Sequence, residues 1–268
     1  MTNWAWFGLR AGSLTTHWPE GPGPDGQEGV RGMPRFHPER CEAGCRDCVS
    51  ACPTGAITQS QDGQTRIDYA RCITCQRCTE VCPTGAFEAT PDWAIAVRDR
   101  ADLVFGEAGH APSVPHPQPA QRVPYALKRS LHIRHVDAGS CNGCESELEA
   151  LLNPFYNLHR LGIFFTPSPR FADLLLVTGP VTIAMREPLL RTYEAMPEPR
   201  LVMATGTCAT GGGIAGGGYA CHQGLAGILP VDLWLPGCPP NPAAIMEALL
   251  VLLNRRPTRV SRGHLAGS

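Results

Sequence analysis

The stretches CEAGCRDCVSACPTGA (41–56) and CITCQRCTEVCPTGA (72–86) are near-copies of one pattern. Cys41, Cys45, Cys48 and Cys52 precede Pro53, and Cys72, Cys75, Cys78 and Cys82 precede Pro83. The second run is C-x2-C-x2-C-x3-C-P, the spacing that wraps a cubane iron–sulfur cluster. In paired runs the first three cysteines bind one cluster and the fourth reaches the other. Cys41, Cys45, Cys48 and Cys82 are therefore expected to hold one [4Fe–4S] cluster, and Cys72, Cys75, Cys78 and Cys52 a second. Zinc ribbons pair two C-x2-4-C elements and need only four ligands, so two full runs ending in Cys-Pro favour iron. One departure stands out: Cys41 and Cys45 are separated by three residues, EAG. A bulge at Gly44 would absorb the extra residue and leave that cluster the more labile.

The crossing of ligands predicts a small α+β unit over 36–90, of the bacterial two-cluster ferredoxin type, that closes only around both clusters. Pro53 and Pro83 turn the chain away after the fourth ligand, and Ile57 and Phe87 are placed to shield the clusters. Composition agrees. The 13 cysteines are an odd count, unlike a secreted disulfide framework. MTNWAWFGLR has no basic start and no long apolar run, so it does not read as a secretory leader. No stretch nears the ~18 apolar residues of a membrane span. A formal net charge of −1 gives no basic field for nucleic acid. The chain reads as soluble and from a reducing compartment. The 29 glycines and 26 prolines suit loops wrapped around clusters. Disorder fits only 20–34 and 109–124.

Working outward, residues 1–35 form an N-terminal extension with Trp4, Trp6 and Phe7 near its start. These aromatics suit either plain packing or contact with a membrane or membrane subunit. Residues 91–124 are read as a short helix over 91–108 and a Pro-rich linker. Residues 125–256 read as an α/β domain with a mostly parallel, flavodoxin-like sheet, followed by a tail over 257–268. Strands are expected at 131–136, 172–179, 200–206 and 231–237, because their apolar runs are short and nearly continuous. Helices are expected at 144–153, 186–196 and 242–254, the last with Pro at its start.

A second cysteine set follows those strands. Cys141 and Cys144 (SCNGCE) come after 131–136, Cys208 (GTCATGG) after 200–206, and Cys238 (PGCPPNP) after 231–237. Open α/β sheets place their sites at such strand ends. Four thiolates converging there would hold a third [4Fe–4S] cluster. The repeat and this set use twelve cysteines, and Cys221 is left over. It reads as a small buried helix residue in preference to an extra ligand.

CNGCE, ADLLLVTGPVT, AMPEPRLVMATGTCATGGG and PVDLWLPGCPPNP together resemble the small subunit of membrane-bound, group 4 [NiFe]-hydrogenases. That family includes formate hydrogenlyase and energy-converting hydrogenases and is homologous to the 20-kDa subunit of respiratory complex I. The resemblance covers about 125–255 and implies that Cys141, Cys144, Cys208 and Cys238 bind the proximal cluster. Complex I members usually carry adjacent cysteines at the first pair, so CNGC favours the hydrogenase side. The first half resembles the two-cluster ferredoxin-like subunit of the same complexes, through the repeat, FHPERC and ATPDWAIAVRDRADL. The two are usually separate chains and here are fused.

The resemblance implies an oxidoreductase subunit that relays electrons through three [4Fe–4S] clusters and is not catalytic alone. The implied partners are a [NiFe]-hydrogenase-like or complex I 49-kDa-like large subunit and membrane subunits, with a formate dehydrogenase or a ferredoxin as donor. Its expected place is cytoplasmic, peripheral on the inner face of the cell membrane. A complex I-like subunit serving quinone and a stand-alone polyferredoxin-type carrier are the alternatives. A carrier would need only the first 90 residues. No nucleotide fingerprint is present, and the glycines at 211–218 lack the Lys-Ser/Thr of a phosphate-binding loop. The histidines read as structural or surface residues. Glu145 reads as a helix-start acid, and the resemblance puts Glu147 near the large-subunit interface, where it could assist proton movement.

Overall fold

The computed structural model describes residues 3–12, 18–19, 28–61, 63–106, 123–261 and 264–265. The expected linker at 109–124 lies almost wholly outside them, as does much of 20–34. A helix α1 (Asn3–Ala11) comes first, then the short strand β1 (Arg35–Phe36). The cysteine repeat folds as two copies of one device. α2 (Asp47–Ala51) carries the third cysteine of the first run, Cys48, and after β2 (Ile57–Gln59) and β3 (Thr65–Asp68), α3 (Arg77–Val81) carries Cys78, the third of the second. Both helices stop at the cysteine before proline, where Cys52 and Cys82 share φ −75° and ψ 112°. A residue preceding proline is barred from the helical region, so Pro53 and Pro83 set these ends. β4 (Phe87–Glu88) pairs antiparallel with β1, and β5 (Val104–Phe105) completes a three-stranded antiparallel sheet with β2 and β3.

The second half is built on β6 (Leu131–Asp137), β7 (Ile163–Phe165), β8 (Leu174–Thr178), β9 (Leu201–Thr205) and β10 (Leu233–Leu235). All pair in parallel, in the order β10-β9-β8-β6-β7. This is the 2-1-3-4-5 order of doubly wound flavodoxin-type sheets, read from the other edge. β8, β9 and β10 are buried at every residue, as their unbroken apolar runs require. Helices α4 (Gly143–Ala150), α5 (Ile183–Glu194), α6 (Thr207–Gly211) and α7 (Pro242–Leu252) connect or follow the strands. Thr182 caps α5 through the Met185 N–H, and Asn241 caps α7 through the Ala244 N–H. Every residue of α7 is buried. β11 (Val260–Ser261) and β12 (His264–Leu265) form a small hairpin in the tail.

The expected helix over 91–108 does not form within its described residues, 91–106. Ala94, Ile95, Ala96 and Val97 run extended and buried between the two halves. Val97 exchanges backbone hydrogen bonds of 3.0 and 2.8 Å with Trp234 in β10. Burial on all sides and pairing with a distant strand override the local helical spacing. The helical turn among these described residues is a 3-10 turn at Arg100–Leu103, capped by Asp99, and it leads into β5. Arg98 then bonds the Leu252 carbonyl (3.3 Å) and Asn254 Oδ1 (2.6 Å) at the end of α7. The buried side chains of both halves form one continuous apolar cluster.

Candidate metal centres

The repeat gathers its eight cysteines into two groups. Burial pushes the Cys48 thiol up to about 11, with Cys41, Cys45 and Cys82 adding to it by charge repulsion. Burial pushes Cys78 up to about 12, with Cys72, Cys75 and Cys52 adding. Cys72 rises to about 12 for the same first reason, with Cys52 and Cys75 again contributing. Cys52 thus sits with the second run and Cys82 with the first.

Cys52, Cys72, Cys75 and Cys78 line one small pocket, walled in part by Ile57 and Phe87. Backbone amides point at the sulfurs: Thr74 N–H donates to Cys72 Sγ (3.4 Å) and Ala86 N–H to Cys82 Sγ (3.2 Å). Burial works to raise the Cys82 thiol, but bonds from Phe87, Thr84 and Ala86 outweigh it and lower it. Gly44 takes φ +82° within the longer first loop, a backbone that L side chains rarely adopt.

The third group lies at the C-terminal edge of the sheet. Cys141 and Cys144 occupy the loop and first turn after β6, Cys208 sits in α6 after β9, and Cys238 follows β10. Asp137 shapes the first loop by accepting from the N–H groups of Gly139 (2.8 Å) and Ser140 (2.7 Å). Burial raises Cys144, with Glu145, Cys208, Cys141 and Cys238 adding. Cys208 is pushed up to about 11 by burial first, then by Cys238, Cys141 and Cys221. Glycines admit the sulfurs. A Cβ on Gly206 would stand 2.6 Å from Cys144 Sγ, and one on Gly213 would stand 2.9 Å from Cys208 Sγ.

This donor chemistry fits iron–sulfur clusters. Four soft thiols are grouped in partly dry surroundings, where ionising them together is costly unless a cationic centre binds them. Among the described residues, no three or more His, Cys, Asp or Glu close to the spacing of one metal ion. Cubane ligands stand further apart, because each binds a different iron.

The second and third groups meet. Thr207, beside Cys208, donates its hydroxyl to the Cys72 carbonyl (2.8 Å) and accepts from the Gly237 N–H (3.0 Å), beside Cys238. Thr210 Oγ1 donates to the Ala70 carbonyl (2.7 Å). Cys238 also contributes to the raised thiol of Cys72. Spacing alone gave no sign of Thr207 or Thr210.

Two readings change. Cys221 is not in a helix: it is half-buried, bridges Thr182 as an isolated strand pair, and acts electrostatically on Cys208. Glycines on both sides keep that segment out of helix. Glu145 is more than a helix-start acid. It accepts from Thr178 Oγ1 (2.5 Å) and Ser140 Oγ (2.7 Å), and His135 Nε2 lies 3.5 Å away. Burial lowers His135 against the pull of Glu145. Burial also raises the half-buried Glu147. Trp4, Trp6, Phe7 and Leu9 are 54–79% exposed, and the Trp4 and Phe7 rings meet edge to face.

Comparison with known proteins follows the same division. Residues 40–86 match the 4Fe-4S dicluster domain, and residues 141–252 match the NADH ubiquinone oxidoreductase 20 Kd subunit. Formate hydrogenlyase subunit 7 of Escherichia coli is 46% identical over 127 residues, 47% of this chain and 50% of that protein. The chain thus spans half the length of that relative. A probable membrane-bound hydrogenase subunit of Pyrococcus furiosus is 44% identical over 129 residues, 48% of this chain and 77% of that protein. A solved chain of the membrane-bound sulfane sulfur reductase, an archaeal respiratory membrane complex, is 37% identical with a TM-score of 0.44. That alignment covers 51% of this chain and 75% of the other.

Proposed function

We propose, from the premise that the chain belongs to the family of the NADH ubiquinone oxidoreductase 20 Kd subunit, that it is the iron–sulfur electron-transfer subunit of a membrane-bound [NiFe]-hydrogenase complex of the formate hydrogenlyase kind. Cys41, Cys45, Cys48 and Cys82 hold one [4Fe–4S] cluster in this reading. Cys72, Cys75, Cys78 and Cys52 hold the second, and Cys141, Cys144, Cys208 and Cys238 the third. When bound, such clusters supply one-electron redox chemistry at potentials set by their surroundings. The chain's own residues ligate, exclude water with Ile57 and Phe87, and donate amide hydrogen bonds to sulfur.

The observation that carries the reading is the contact between the second and third thiol groups through Thr207. Two ligand sets tied through one hydroxyl suit a relay better than independent sites. Cys141 and Cys238 are exposed, as are Ile183, Ile214 and Tyr219 on neighbouring segments. That face suits a large subunit holding the active site. Membrane subunits and a formate dehydrogenase or ferredoxin donor complete the proposed assembly, peripheral on the inner face of the cell membrane. No described helix is long and apolar enough to cross a membrane. A complex I-like role serving quinone is the second reading, and the spaced CNGC of 141–144 favours the hydrogenase one.

The test is anaerobic purification of the tagged chain from native membranes. A co-purifying large subunit with two C-x2-C pairs and nickel is expected, with hydrogen-dependent viologen reduction only in its presence. A large subunit lacking those pairs would select the quinone reading. Turnover by the chain alone would contradict both.

A further inference from the structure

Glu145 directly follows Cys144 of the third thiol group and sits in the first turn of α4. Its carboxylate closes a hydrogen-bonded ring across both cysteines of the CNGC loop. Ser140, next to Cys141, donates its hydroxyl to Oε2 (2.7 Å) and accepts from the Asn142 N–H (3.1 Å). Thr178, fully buried at the end of β8, donates to Oε1 (2.5 Å). A hydroxyl has one hydrogen to give. With that of Thr178 spent on Glu145, the 3.0 Å bond between Thr178 Oγ1 and His135 Nε2 takes its hydrogen from the imidazole. Donors thus stand against both carboxylate oxygens, as an ionised acid requires.

Other acids also adjoin cysteines of the thiol groups. Glu42 follows Cys41 and Asp47 precedes Cys48, but both are exposed to water, which screens them. The Glu145 side chain is only 14% exposed. A charge in such surroundings acts more strongly on its neighbours than one in water. After burial, Glu145 is the largest influence raising the Cys144 thiol, and it adds to the rise of Cys208. Burial lowers His135 and so favours the neutral ring, which leaves the carboxylate charge uncancelled by the imidazole.

We propose that Glu145 is a fixed anion that holds down the midpoint potential of the third cluster, with Ser140 and Thr178 as its positioning residues. The inference rests on the reading of Cys141, Cys144, Cys208 and Cys238 as the ligands of that cluster. Reduction adds one electron to a cluster, and the potential follows the charge and hydrogen bonding around it. A fixed negative charge disfavours the added electron, so the reduced cluster gives it up more readily. The repeat is furnished in the opposite sense. Amide hydrogens point at the sulfurs of Cys72 and Cys82, where they stabilise added charge.

The test is an EPR-monitored redox titration of the full chain, anaerobically reconstituted. The signal absent from Cys238→Ala identifies the third cluster. Glu145→Gln keeps the shape, and its amide can still bond both hydroxyls, so the charge alone is removed. The midpoint potential of the third cluster should rise, with the other two unmoved and iron content unchanged. Thr178→Val breaks the hydrogen-bonded ring but keeps the carboxylate. Its third cluster should release iron faster to a chelator while its potential stays close to the wild-type value. A merely structural Glu145 would not separate these two variants. The proposal is overturned by an unmoved potential in Glu145→Gln, by an equal rise in Thr178→Val, or by loss of the third cluster's iron in Glu145→Gln. About eight irons in the wild type, by the four-iron count of a cubane, would instead overturn the ligand reading beneath it, and this inference with it.

Discussion

Cys221 and Cys238 show how far one residue can be judged from its neighbours in sequence. Both lie near glycine or proline, yet Cys238 belongs to a group of four thiols and Cys221 borders Cys208 as a fifth. Cys238→Ala should remove about four irons and leave the other two clusters reducible, by the four-iron content of a cubane. Cys221→Ala should leave iron content unchanged, and metal analysis with EPR on both variants reads the difference. Loss of iron in Cys221→Ala with none in Cys238→Ala would exchange their roles. The cluster held by Cys41 should be lost first on exposure to air, because its loop carries the extra residue that Gly44 absorbs; timed EPR of the wild-type protein follows this. The cysteine runs at 41–52 and 72–82 were legible because their spacing is local. The Glu145 network was not, since Thr178 lies 33 residues away.

At the scale of elements, α6 couples the halves through Thr207. Thr207→Val keeps the shape but leaves the Cys72 carbonyl and the Gly237 amide without that partner. A cost on the order of 1–3 kcal/mol is expected for such buried groups. Amide exchange should quicken at Gly237, and the third cluster should release iron faster to a chelator. Thr207→Ser keeps the hydroxyl and should restore both. Unchanged exchange in the valine variant would contradict the role. The strands of the sheet were legible because β8 and β9 are buried at every residue and read as unbroken apolar runs. Residues 94–97 were not, since their conformation is decided by Trp234, more than a hundred residues on. Thr207 escaped notice for the same reason: its carbonyl partner is 135 residues away.

At the scale of the molecule, the expected picture of two domains on a linker becomes two halves sharing one core. The contacts of Thr210 with Ala70, Val97 with Trp234 and Arg98 with the end of α7 hold them together independently of the connecting chain. A protease site placed between 107 and 122 should therefore yield two fragments that still elute as one particle under native conditions. Separate elution would show that the interface is weak. The central claim is three four-iron clusters on twelve of the thirteen cysteines. Its most direct test is iron and acid-labile sulfide per chain in anaerobically reconstituted protein. About twelve of each are expected by the cubane count. Stoichiometric zinc with no iron, or about eight irons in both the wild type and Cys238→Ala, would contradict it.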